Sequence, residues 1–267
     1  MLLTIQHRTT YAYERPVTYG LQQLRLIPKT RDEQEVLSWD TRLEGATREA
    51  EFQDHHMNHV MLISIDEPVD KITITSSGQV DTKDAYGIIG KHGGFAPLWY
   101  FEGSTDLTRA GNLTRKLTKG LTGDISDPID RLHALSGRIL DEVKYEVGET
   151  HVATSAEDAL SVGRGVCQDH AHIFLAAART MGFPSRYVSG YLKTEDGAVH
   201  DAAHAWAEAH VKGVGWIGFD ISNGISPDER YVRVATGRDY MDAAPISGLS
   251  FGDHGKETLS VDIQVQQ

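Results

Sequence analysis

The chain has a single cysteine in 267 residues, Cys167. That excludes an internal disulfide, a zinc site built from several cysteines and a CxxC redox pair. Proline is scarce, at 8 residues, and no apolar run approaches the roughly 18 residues that would span a bilayer. Positive charge is short too: 26 Lys and Arg face 38 Asp and Glu, leaving −12 with histidine neutral. Such a surface repels phosphate backbones and anionic lipid, so neither nucleic acid nor membrane is an expected partner. Met1-Leu2-Leu3 is broken by Thr4 and then by Gln6-His7-Arg8, too early for the apolar stretch of an export signal. The expectation is a cytoplasmic, reducing location, which suits a free thiol. What is present, 40% apolar and 24% charged residues with 26 glycines, is the profile of a folded globular chain of one large or two ordinary domains.

Short alternating runs dominate the first 80 residues. Leu3, Ile5, Tyr11 and Tyr13 share one parity; Leu37, Trp39, Thr41 and Leu43 share another; Ile72 to Thr75 repeats the pattern after the apolar run Val60 to Ile63. This predicts an antiparallel β module. The stretch Asp84 to Pro97 holds four glycines and little periodicity, and reads as a linker. Beyond it the period becomes helical. Asp127-Pro128 is a helix start with Asp as cap and Pro in the first turn, and Ser155-x-x-Asp158 forms a second. After Gly163-Arg164-Gly165, residues Ala171, Phe174, Leu175, Ala178 and Met181 make one apolar helix face that ends at Gly182-Phe183-Pro184. Strands are expected again at Tyr187 to Leu192, His204 to Val211 and Trp216 to Ile221, and in the tail from Thr258 to Val265. The fold class is therefore α+β. The expected divisions are an N-terminal β-rich domain (1–90), a core (98–240) and a C-terminal strand segment (241–267).

Cys167 falls at the start of the third helix, near its unpaired N–H groups and positive dipole end, with Arg164 close by. Both effects favour thiolate, the nucleophilic form. A thiol nucleophile works beside a base, and the base needs a third group to orient it. On the strand 204–210, His204, Trp206, Glu208 and His210 share a face opposite three alanines. A hairpin centred near Lys212 sets Asp220 opposite His204; a four-residue loop from Lys212 to Gly215 sets Asn223 there instead, and an amide can also orient an imidazole.

The stretches GRGVCQDHAHIFLAAARTMGFPSRYVSGYL (163–192), HAWAEAHVKGVGWIGFDISNG (204–224) and VRVATGRDY (232–240) resemble the transglutaminase-like superfamily of papain-like cysteine enzymes. The resemblance is to its bacterial branch, in which a β domain precedes the core, and QDHHMNHV (53–60) is compatible with that domain. It implies a papain-like core of helices packed on an antiparallel sheet, with Cys167 as nucleophile, His204 as general base and then acid, and Asp220 orienting His204. It implies a cysteine-dependent peptidase or amidase that forms an acyl-thioester on a peptide or protein substrate, without metal or other cofactor. Acyl transfer to an amine, as in a transglutaminase proper, is the alternative; residues that would decide the acceptor lie in loops such as Lys193 to Ala203. A non-catalytic binding scaffold is a further alternative, disfavoured because a scaffold needs none of the three residues. Two departures stand out: Ile221-Ser222 follows Asp220 where the family has Pro and Thr, and His170 replaces an aromatic.

Plainer readings apply to neighbouring residues. His170 and His172 read as surface or capping groups, and Asp169 as a charge that suits the helix dipole. His55, His56 and His59 lack a cysteine or glutamate to complete a metal set. Trp206 and Trp216 fit a core as well as a cleft, and Glu208 can be a simple cross-strand partner.

Overall fold

Alternation carries directly into strand structure. In β1 (Leu2–Val17) the odd-numbered Leu3, Ile5, His7, Thr9, Tyr13 and Val17 are buried. It is followed by β2 (Tyr19–Leu24), β3 (Gln34–Glu44), β4 (Thr47–Gln53), β5 (His59–Ile65) and β6 (Val69–Thr82). The computed structural model describes residues 1–194, 203–251 and 255–267; most of the 193–203 loop therefore lies outside the described residues. Strands β1, β6 and β3 form one antiparallel sheet and β2, β5 and β4 another. Tyr13, Val17, Leu24, Met61, Ile63 and Ile72 pack in one cluster drawn from both. Leu37 departs from its expected face: the pairing with β6 slips between Val36 and Ser38, and this irregularity leaves Leu37 exposed while Trp39 stays half-buried.

Within the glycine-rich Asp84 to Pro97 stretch, β7 (Ile88–Gly90) pairs at the edge of the core sheet. Helices α1 (Asn112–Thr118), α2 (Leu121–Asp124) and α3 (Pro128–Glu142) follow, then β8 (Lys144–Tyr145), α4 (Ala156–Val162), β9 (Arg164–Gly165) and α5 (Cys167–Thr180). The caps are those the sequence suggests. The Asp127 carboxylate accepts the N–H groups of Ile129 and Asp130, and the Ser155 hydroxyl accepts that of Asp158. Glu157 of α4 reaches across to cap α1, accepting the N–H groups of Gly111, Leu113 and Thr114.

The core sheet runs β13 (Tyr231–Gly237), β10 (Ser185–Leu192), β11 (His204–Val211), β12 (Gly215–Phe219), β7, all antiparallel. Helix α5 lies against β11, where the small side chains of Ala205, Ala207 and Ala209 let it approach closely and join a cluster with Ala171, Phe174 and Leu175. The sheet's other face is covered by the β module, through Tyr191, Val232 and Val234 against Leu3, Ile5 and Val80. After the short α6 (Tyr240–Ala243), β14 (Ile246–Phe251) pairs with β2 and β15 (Glu257–Gln266) pairs with β1. The tail thus extends both sheets of the N-terminal module.

The segment 53–60 joins the two parts. Asp54 closes a turn by accepting the N–H groups of His56 and Asn58. The Asn58 amide then imitates a strand neighbour on β13: Oδ1 accepts the Thr236 N–H at 2.9 Å and Nδ2 donates to the Thr236 carbonyl at 2.8 Å. Among the described residues no helix is long and apolar enough to cross a membrane.

Candidate active site

Cys167 is the first residue of α5, and the turn before it is held by Asp169. That carboxylate accepts the Val166 N–H at 2.8 Å and the Thr150 hydroxyl at 2.7 Å, fixing the helix start and tethering the 145–152 loop to it. Only glycine fits at 165, because a Cβ there would lie 2.6 Å from the Asp169 carboxylate and 2.8 Å from its Cβ. The cysteine itself is partly exposed.

His204, first residue of β11, is hydrogen-bonded to both the Cys167 side chain and Asp220, its Nε2 lying 2.6 Å from Asp220 Oδ2. Burial alone would push the imidazole down. The hydrogen bonds and charges of Asp220 and Cys167 outweigh burial and hold His204 up at about 10. Asp220 is fully buried, which would raise its carboxyl, yet the bonds from His204, Asn223 and Tyr231 leave it below its ordinary value. Its Oδ2 accepts from Asn223 Nδ2 and from the Tyr231 hydroxyl, each at 2.7 Å. An orienting carboxylate with so many donors keeps both its charge and its position.

The route to this contact differs from either hairpin register expected. Ala207 pairs with Phe219 and Val211 with Gly215. Extended to its end, this ladder would set Ser222 opposite His204. The chain instead leaves the ladder at Asp220 in a turn closed by two backbone hydrogen bonds with Ile225. Asp220 therefore reaches His204 diagonally along the shared face, and Asn223 holds Asp220 rather than the imidazole.

The two departures from the family pattern meet each other. His170 is buried, its Nδ1 2.8 Å from the Ser222 hydroxyl and its Nε2 2.9 Å from the Val143 carbonyl. The ring N–H is thus committed to Val143, and the Ser222 hydroxyl donates to Nδ1. Burial lowers His170 below the usual histidine range, only partly offset by the Val143 bond. Far from a surface group, it pins the Asp220–Asn223 turn to α5. His172 is equally buried, accepts the Tyr240 N–H and is pushed by burial to about 3. Both histidines are neutral at pH 7, which suits packing and leaves His204 as the charged imidazole.

Trp206 and Trp216 are core residues: each is almost fully buried, and Trp216 lies beneath the Arg186 guanidinium at 3.9 Å. Glu208 is more than a cross-strand partner. Wholly buried, it accepts from Arg186 at 2.5 Å and from Arg233 at 2.6 and 3.0 Å. His55, His56 and His59 turn to Tyr100, Asp242 and Glu51 respectively, and among the described residues no group of three His, Cys, Asp or Glu side chains could hold a metal ion.

Two cavities open on the sulfur. One of about 630 Å³ is bordered by the 145–152 loop and by Thr194, Ser222 and Asn223; another of about 280 Å³ lies toward the β module. Cys167 and His204 line both. The arrangement can present a sulfur nucleophile and a proton carrier to a carbonyl bound in either cavity.

Comparison with known proteins agrees with this architecture. The transglutaminase-like superfamily model matches residues 115–221, and the model of the bacterial transglutaminase-like N-terminal region matches residues 3–81. An uncharacterized protein of Mycobacterium leprae is 30% identical, with 98% of each chain covered. An uncharacterized Mycobacterium tuberculosis protein is 27% identical, covering 98% of this chain and 91% of that one. Among solved structures, "a Putative Cysteine Protease from Cytophaga hutchinsonii" superposes with a TM-score of 0.79 at 22% identity, over 100% of this chain and 90% of that one. That likeness establishes the shared fold.

Proposed function

The chain belongs to the transglutaminase-like superfamily, and from that premise we propose that it is a cysteine-dependent hydrolase, a peptidase or amidase acting through Cys167, His204 and Asp220. The observation that carries the reading is the continuous hydrogen-bonded line from the Cys167 sulfur through His204 to the buried Asp220, at the meeting point of two cavities.

The sulfur of Cys167, as thiolate beside the His204 imidazolium, attacks the carbonyl carbon of a bound amide. The carbonyl oxygen takes the negative charge and is met by the Cys167 backbone N–H at the helix start. As the tetrahedral species collapses, His204 passes its proton to the leaving nitrogen, the C–N bond breaks and an acyl-thioester remains on Cys167. The now neutral His204 accepts a proton from an incoming water, whose oxygen attacks the thioester. Loss of the sulfur then yields a carboxylic acid and restores the thiolate–imidazolium pair. Asp220, held by Asn223 and Tyr231, keeps the imidazole turned and its charge compensated throughout. A reducing compartment such as the cytoplasm is the proposed setting, since the mechanism depends on one free thiol.

The test is a mixed peptide pool incubated with the protein or its Cys167→Ala variant, with and without a primary amine, and read by mass. Cleavage that needs Cys167 supports the hydrolase. Incorporation of the amine instead of water would redirect the reading to acyl transfer, and identical traces for the two proteins would refute both.

A further inference from the structure

The smaller cavity has a wall that the core alone does not supply. On β1, His7, Thr9 and Tyr11 point the same way, and β15 sets Val261 directly opposite Thr9 and Leu259 opposite Tyr11. This is the same face of the β1/β15 ladder that, at its other end, packs Leu3, Ile5, Ile263 and Val265 against the core sheet. The ladder is therefore docked firmly over one half of its length, and its second half overhangs the sulfur. Tyr187 and Tyr240 complete the enclosure from the core side, and Ile246 on β14 closes it from the second sheet of the β module.

We propose that this overhang makes the β module part of the active site, as a pocket for one uncharged apolar or aromatic side chain on the acyl half of the substrate. The inference rests on the hydrolase reading of Cys167. Among the described residues that line the cavity there is no Asp, Glu, Lys or Arg, so a charged side chain set against them would lose its hydration without gaining a partner. Apart from His204 the one imidazole among the described lining residues is His7. It is buried, bonded to the Tyr191 hydroxyl and to Thr9, and pushed by burial to about 4, so it is neutral at working pH. The size also fits a single side chain. An apolar cavity of about 150 Å³ already takes a benzene ring, and 280 Å³ takes a phenyl or isobutyl group with its backbone stem.

The assignment to the acyl half follows from the larger cavity. Thr150, His151, Ser222 and Asn223 border the larger cavity alone, beside the apolar Val147, Leu192, Ile263 and Val265, and these polar groups suit the leaving amine and the water that replaces it. The portion that stays covalently attached to sulfur then occupies the apolar side.

The test labels Cys167 in the intact chain with N-acetylated aminoacyl chloromethyl ketones bearing Phe, Leu, Glu or Lys, each rate divided by that of iodoacetamide, which is too small to need the pocket. The Phe and Leu reagents are expected to react about ten- to a hundredfold faster than the Glu and Lys reagents. Leu259, exposed on the rim of the wall, can be changed to Asp without opening the core, and Leu259→Asp is expected to shrink the Phe-to-Lys ratio at least tenfold. Equal normalised rates in the unaltered protein, an unchanged ratio in Leu259→Asp, or selectivity confined to the amine half of cleaved peptides would each overturn the proposal. Should iodoacetamide itself label Cys167 no faster than an ordinary thiol, the hydrolase reading fails first. The pocket is then read separately, from shifts in Thr9 and Val261 resonances as N-acetyl-phenylalaninamide binds Cys167→Ala. Perturbation lost in the additional Leu259→Asp change supports the pocket, and none in either protein refutes it.

Discussion

Glu208 offers the cleanest separation of what holds the core from what performs the chemistry. Its carboxylate lies in the middle of the core sheet between Arg186 and Arg233, with three charge-assisted hydrogen bonds and no exposure to water. Burial alone would raise it, but the two guanidinium groups hold it at about 2, against 4.5 for a free glutamate. That difference is worth about 3 kcal/mol in favour of the folded state at neutral pH. Glu208→Gln keeps the volume and removes the charge, leaving two buried cations whose partner is gone. Breaking a buried pair from one side costs about 3–5 kcal/mol by general experience, in line with the first figure. Thermal and urea unfolding should show it as a midpoint lower by roughly 10 °C. The acid limb gives a second readout. Since the folded carboxyl is depressed, its contribution is full above pH 4.5 and disappears as pH falls toward 2, so the variant should lack that part of the wild type's acid sensitivity. Glu208 lines neither cavity, and labelling of Cys167 in the folded fraction should persist. A loss below about 0.5 kcal/mol, or unaltered acid sensitivity, would refute the reasoning.

Further expectations concern the site. Asp220→Asn should lower kcat by about a hundredfold or more, because the imidazole loses its charge partner, whereas Tyr231→Phe removes one of several donors and should cost about tenfold or less; steady-state kinetics on a cleaved peptide compares them. His170→Phe should lose about 1–3 kcal/mol of stability through the orphaned Val143 carbonyl yet retain turnover that His204→Ala abolishes, and equal loss of turnover in both would reassign the base. His204, with its ring held at about 10 against 6.5 when free, contributes stability that is full below pH 6.5 and lost as pH rises through about 10. Urea midpoints should therefore fall across that window in the wild type and stay flatter in His204→Ala.

Local signals were strong where the physics is local. Capping residues at Asp127 and Ser155 mark helix starts because they satisfy N–H groups within three residues. The alternation in 204–210 separates the alanines that meet α5 from the polar side chains on the other face because strand geometry has a fixed period of two. The hairpin register was not legible: it depends on how many residues the turn around Gly213 consumes, and both expected pairings miss the one formed. Nor could Tyr231 be found as a donor to Asp220, since it reaches that carboxylate from β13, beyond the Asp220–Ile225 turn. The wall of the smaller cavity is the extreme case. It depends on pairing between β1 and β15, at opposite ends of the chain, and the alternation of either strand alone says nothing about its neighbour. The role of His170 is hidden from the sequence for a related reason: its partners Val143 and Ser222 are brought to it by tertiary packing, and an isolated helix would show the ring to solvent.

The coupling of Cys167 to His204 is the claim on which the chemistry depends, and the rate of iodoacetamide labelling of Cys167 between pH 5 and 9 measures it most directly. The wild type should label rapidly at pH 6, where an ordinary thiol is almost wholly protonated, and His204→Ala should bring the rate at that pH down to that of a simple cysteine peptide. Superimposed profiles for the two proteins, both rising only near pH 8 to 9, would contradict the account.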